Sequence, residues 1–129
     1  TPEKRVRLQV GQLILNLGGP GAVSDFLRRL PTTNRTEYHE DEVNQFSSII
    51  ANMTPPPLSV VRGTLVADSW IARLLSIRVI RQKGGREDLS ILRELQADTT
   101  RIPGWDGTPA PTVGREAAEA RRQLQGRVQ

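Results

Sequence analysis

His39 is the only histidine in the chain, and it lies among Glu37, Glu40, Asp41 and Glu42. His39 and Glu42 are three apart, so on a helix they share a face and offer two ligands to a divalent ion. Structural and catalytic metal sites use three or four protein ligands. No cysteine and no second histidine supplies the rest. The four carboxylates have a simpler use at a helix start, where they meet the positive end of the dipole. No metal and no cofactor is therefore expected. Nucleophilic catalysis has as little to work with. Ser24, Ser47, Ser48, Ser59, Ser69, Ser76 and Ser90 occur without a glycine-flanked elbow, and any triad would depend on His39 alone. The absence of cysteine also excludes a thiolate nucleophile and a disulfide framework. Gly18-Gly19-Pro20-Gly21 lacks the spacing and following lysine of a phosphate-cradling loop. No catalytic residue is assigned, and the chain reads as a non-enzyme.

The stronger chemical signal is positive charge. The net charge is +4, and the cations are 16 Arg against 2 Lys. Arginine makes planar, bidentate contacts with phosphate and carboxylate. Arg73, Arg78, Arg81, Lys83 and Arg86 form a run that no acid interrupts from Ser69 onward. Arg78 and Arg81 are three apart and share a face near a helix end. The run offers cations for phosphate and no interleaved Phe or Tyr for base stacking, so sequence-independent nucleic-acid contact is expected. The competing reading is a well-charged helix C-terminus with a solvated loop. The acidic residues Glu37, Glu40, Asp41 and Glu42 carry the opposite sign. On different faces of the folded unit, the two blocks would make head-to-tail contacts between copies. As neighbours in one fold, they would neutralise each other.

The segment Leu13-Ile14-Leu15-Asn16-Leu17-Gly18-Gly19-Pro20, followed by Phe26-Leu27, resembles the opening strand and loop of ferrochelatases. The resemblance covers residues 13–27 and implies a strand there with a glycine loop after it. That fold takes a chain more than twice as long and a catalytic histidine late in the sequence. Here the one histidine is His39, so neither activity nor site residues carry over. Read on their own, the glycines close one helix and turn into the next.

The elements that must position these residues follow from proline and glycine punctuation. Pro2 to Leu17 reads as a helix with Thr1 as N-cap and Val6, Val10, Leu13, Ile14 and Leu17 at helical spacing. Pro20 opens a second helix through Leu30. Thr36 caps a third that starts at Glu37 and ends before Pro55-Pro56-Pro57. Leu58 to Arg81 reads as one long helix, apolar nearly all round and kinked at Gly63, which implies a central element or one covered by a partner. A fifth helix covers residues 86–97. Residues 99–113 turn to Gly, Pro and Thr and read as an extended arm. The segment after it, 114–129, has good helix formers but a thin apolar face, and reads as an exposed or partner-dependent helix.

Leu, Ile, Val and Phe make up 34 of the 129 residues. That is about a quarter, above the fifth that marks disordered chains. The expected fold is all-α: a compact bundle of about five helices over 1–98, with an extended Pro/Gly-rich arm and an exposed C-terminal helix or flexible tail over 99–129. No run is apolar enough for a transmembrane helix, and no signal peptide is visible. The chain opens on Thr1 rather than Met, which points to initiator removal or an excised piece. These features fit a non-enzymatic assembly protein that self-associates and binds nucleic acid, such as a small viral coat or nucleocapsid subunit, cytoplasmic or in a virion. The alternative is an adaptor that seats a partner on the long helix 58–81.

Overall fold

The computed structural model describes residues 2–33 and 35–128. Among them the chain is all-helical, with seven α-helices rather than five. They are α1 (Pro2–Gly18), α2 (Pro20–Arg28), α3 (Glu40–Ala51), α4 (Leu58–Thr64), α5 (Trp70–Lys83), α6 (Leu89–Leu95) and α7 (Val113–Val128), with a 3-10 turn at Arg86–Asp88 before α6. The expected Thr1 cap lies outside the described residues. The strand that the ferrochelatase resemblance implies is replaced by helix, since Leu13–Gly18 belong to α1.

The expected long helix is two helices. Ser69 starts α5: its Oγ accepts from the Ala72 N–H at 3.1 Å and donates to the Pro31 carbonyl at 2.7 Å. The Arg73 guanidinium turns back to the Ala67 and Asp68 carbonyls at 2.8 and 3.0 Å. Those two carbonyls therefore find their partner outside a helix ladder, and the chain between α4 and α5 stays open. Every residue from Trp70 to Ile80 except Arg73 is buried. The covering elements are α3, α4 and α7 of the same chain, so the apolar residues of α5 are covered from within, and its last turn, residues 81–83, reaches the surface. Trp70 anchors the start of α5 by donating its indole N–H to the Thr33 carbonyl at 2.9 Å.

The C-terminal third belongs to the core. Val113, Ala117, Ala120 and Leu124 are fully buried, and α7 packs on α5 and α6. Its face is narrow because it is made of small residues, which let helices approach closely. A Cβ on Gly114 would stand 2.5 Å from the Asp98 carbonyl oxygen. The expected arm is a closed loop: the Ile102 N–H donates to the Pro111 carbonyl at 3.1 Å, and Val113 N–H to Thr100 at 2.9 Å. Ile102 is buried beneath it.

The third helix starts at Glu40, later than expected. Glu42 reaches back to the His39 backbone N–H at 3.4 Å. Val43, Phe46 and Ile50 face inward as their spacing requires. Phe26 of α2 meets Phe46 edge-on, with ring centroids 5.2 Å apart. In α1 the buried residues are Gly11 and Leu15. A Cβ on Gly11 would stand 2.5 Å from the Phe46 ring, so glycine sets the approach of α1 to α3. The stripe Val6, Val10, Leu13, Ile14 and Leu17 lies on the opposite side, in solvent.

Candidate nucleic-acid interface

The five residues of the basic run do not form one ridge. Arg73 lies inward: beyond the two carbonyls, its Nε donates to Asp98 at 3.0 Å and its Nη2 to Thr100 Oγ1 at 3.2 Å. Arg78 is 4% exposed. Its Nε donates to Glu116 at 2.6 Å, its Nη1 to Asn44 Oδ1 at 2.6 Å and its Nη2 to Glu40 at 3.4 Å. Its guanidinium also sits 5.5 Å from the centroid of the Trp105 ring. All three guanidinium nitrogens are engaged, so Arg78 is a structural cation and shares no outer face with Arg81.

The rest of the run reaches the surface. Lys83 and Arg86 are exposed and Arg81 is half-buried. The ends of α5 and α7 meet beside them. Arg127 donates to the Arg81 carbonyl, and Arg86 donates to the Val128 carbonyl at 2.7 Å. Two guanidiniums thus satisfy carbonyls at helix ends, where the dipole also favours cations. Among the described residues none of Arg81, Lys83, Arg86 and Arg127 makes an ion pair. Burial lowers the pKa of Arg81, and the like charge of Arg78 lowers it further. Glu116, Glu119 and Glu40 offset part of the charge on Arg81 at longer range, so the cluster concentrates positive charge without a carboxylate in direct contact among the described residues. Arg127 was not legible as its member, because only the meeting of two helix ends brings it there.

The acidic residues are distributed among partners of their own. Glu42 is fully buried and accepts from Arg7 Nε at 2.5 Å and Nη2 at 2.8 Å. That pair, rather than burial, keeps the Arg7 pKa raised. Asp41 accepts from Lys4 at 3.1 Å, and the hydrogen bond from Lys4 lowers its pKa. Glu40 faces Arg78. Glu37 makes no ion pair among the described residues and borders an open cleft of about 370 Å³ with His39, Glu40, Trp105, Asp106 and Glu116. One link joins the acidic and basic blocks, from Glu40 to the buried Arg78. Of the residues expected to make a head-to-tail contact, Glu42 is buried, while Glu37, Glu40 and Asp41 are exposed. His39 and Glu42 are not a ligand pair, since Glu42 is taken by Arg7. Among the described residues no group of three or more His, Cys, Asp or Glu is placed to hold a metal ion.

No helix among the described residues is long and apolar enough to cross a membrane. No family model, curated protein or solved structure matches the chain.

Proposed function

We propose that this chain is a non-enzymatic assembly subunit that self-associates and holds nucleic acid through phosphate contacts. The observation that carries the reading is the cluster of Arg81, Lys83, Arg86 and Arg127 at the joined ends of α5 and α7, exposed or half-exposed and with no carboxylate in ion-pair contact among the described residues. Exposed cations with free donors bind a polyanion by releasing its counterions. No Phe or Tyr interleaves the cluster, and Trp70 is 2% exposed and Trp105 lies over Arg78. Stacking therefore adds little, and base identity should matter little.

The test is fluorescence anisotropy with short labelled single strands of unrelated sequence at low salt. Equal affinity across sequences is expected. Strong preference for one sequence, or no binding at low salt, would overturn the reading.

A further inference from the structure

Helix α1 is apolar on two opposite sides. Inward, Leu15 is fully buried. Outward, Val6, Val10, Leu13, Ile14 and Leu17 are 58%, 50%, 58%, 45% and 80% exposed. The one other large hydrophobic exposed to this degree among the described residues is Val66. The exposure is therefore a continuous stripe rather than scatter, and a contiguous exposed apolar patch marks an interaction surface.

We propose that this stripe is a two-fold interface between two copies of the chain, with their α1 helices antiparallel. The inference rests on the assembly reading only for self-association, and names the surface that does it. Val6, Val10, Leu13 and Leu17 are spaced four, three and four apart, the seam of a two-helix coiled coil. At the start of the stripe lies an open depression lined by Pro2, Glu3, Val6, Arg7 and Val10. Glu3, Val6, Arg7 and Val10 stand at i, i+3, i+4 and i+7, the four corners of a hole that receives one knob. In the antiparallel register that sets Val10 opposite Leu13 of the second copy, the knob entering this hole is Leu17. Leu17 is also the most exposed residue of the stripe.

Charge selects the same arrangement. No ionisable residue occurs from Leu8 to Ser24. Antiparallel pairing lays the charged first turns of one copy over this neutral segment of the other. It also brings Arg5 over a last helical turn that has no basic residue of its own. Parallel pairing would oppose Glu3 to Glu3 at the seam. An anionic lipid surface fits less well. Lys4 and Arg7, the cations that would grip head groups, turn inward to Asp41 and Glu42, and the stripe carries no aromatic residue. The 17 residues of α1 span about 25 Å. A contact of that length is small beside the roughly 1,200–2,000 Å² of stable interfaces, so the dimer should be concentration-dependent.

The test is sedimentation velocity over a wide concentration range with the full chain. The wild type should rise from the monomer mass of 14.3 kDa toward twice that value. Leu13→Asp/Leu17→Asp should remain monomeric, with an unchanged helical circular dichroism spectrum and unchanged nucleic-acid binding per chain. The chain has no cysteine, so single cysteines report register. Val6→Cys mixed with Leu17→Cys should form a disulfide between the two variants on mild oxidation, and Leu17→Cys alone should not. A wild type that stays monomeric, a double variant that still dimerises, or a Leu17→Cys homodimer would each overturn the inference. So would a monomer whose stripe binds phosphatidylserine vesicles. Loss of nucleic-acid binding with dimerisation intact would instead overturn the nucleic-acid half of the assembly reading and leave this interface standing.

Discussion

The Arg78 guanidinium lies beneath the indole of Trp105, 5.5 Å from the ring centroid. The contact ties the middle of α5 to the loop between α6 and α7. Trp105 is itself fixed, because its indole N–H donates to the Tyr38 carbonyl at 2.7 Å. Tyr38 packs edge-on against Trp70, with centroids 6.0 Å apart. A buried cation thus joins the entry to α3, the centre of α5 and the closing loop. That position explains why a member of the basic run is unavailable to a ligand.

Arg78→Met should destabilise the fold by about 3–5 kcal/mol, because it leaves Glu116 and Asn44 without their partner. Lys83→Met should change stability by less than about 0.5 kcal/mol, as surface substitutions do. Urea unfolding of both variants checks this. Equal effects would mean that Arg78 is not a structural cation.

Leu124→Ala should cost about 2–5 kcal/mol, the range for a fully buried leucine. Gly114→Ala should also destabilise, because its methyl group would meet the backbone oxygens of Asp98 and Gln96 at 2.5 and 2.6 Å. Chemical denaturation should show a single transition in each case. A loss below about 0.5 kcal/mol for Leu124→Ala would place α7 outside the cooperative unit.

The helical class, the proline stops and the inward faces of α2 and α3 were legible, because apolar periodicity and punctuation decide them locally. The role of α7 was not. Its contacts are made by Gly114, Ala117 and Ala120, and a count of large aliphatics does not register small residues that work by permitting close approach. The break before α5 was hidden for another reason: the capping serine and the carbonyls held by Arg73 depend on tertiary geometry. In α1 the periodic stripe was visible but its direction was not. Leu15 and Gly11 face α3, while the larger set faces solvent. Among the site residues, spacing grouped Arg78 with Arg81, although burial separates a structural cation from a surface one.

Acid should unfold the protein through Asp88 and Asp98. Burial alone would raise the Asp88 pKa, but hydrogen bonds from Arg62 and the Gly85 N–H outweigh it and leave it lowered. Asp98 is lowered likewise, with burial offset by Thr100 and Arg73. A carboxyl with a depressed folded pKa adds stability that is present above the unfolded value of about 3.9. That stability is lost as pH falls through the folded pKa. Asp88→Asn should therefore flatten the decline of stability below about pH 4. An acid limb as steep as that of the wild type would show that Asp88 does not drive it.

The salt dependence of nucleic-acid binding tests the central claim most directly. Each phosphate contact on a single strand contributes roughly 0.7 to the slope of log affinity against log salt. Four cations at the joined ends of α5 and α7 should give a slope of about −3 at most. Lys83→Ala/Arg86→Ala/Arg127→Ala should reduce its magnitude by up to about 2, with a small fall in the thermal midpoint because the Val128 and Arg81 carbonyls lose their donors. A triple variant that binds with the wild-type slope would contradict the account and move the contact elsewhere on the surface.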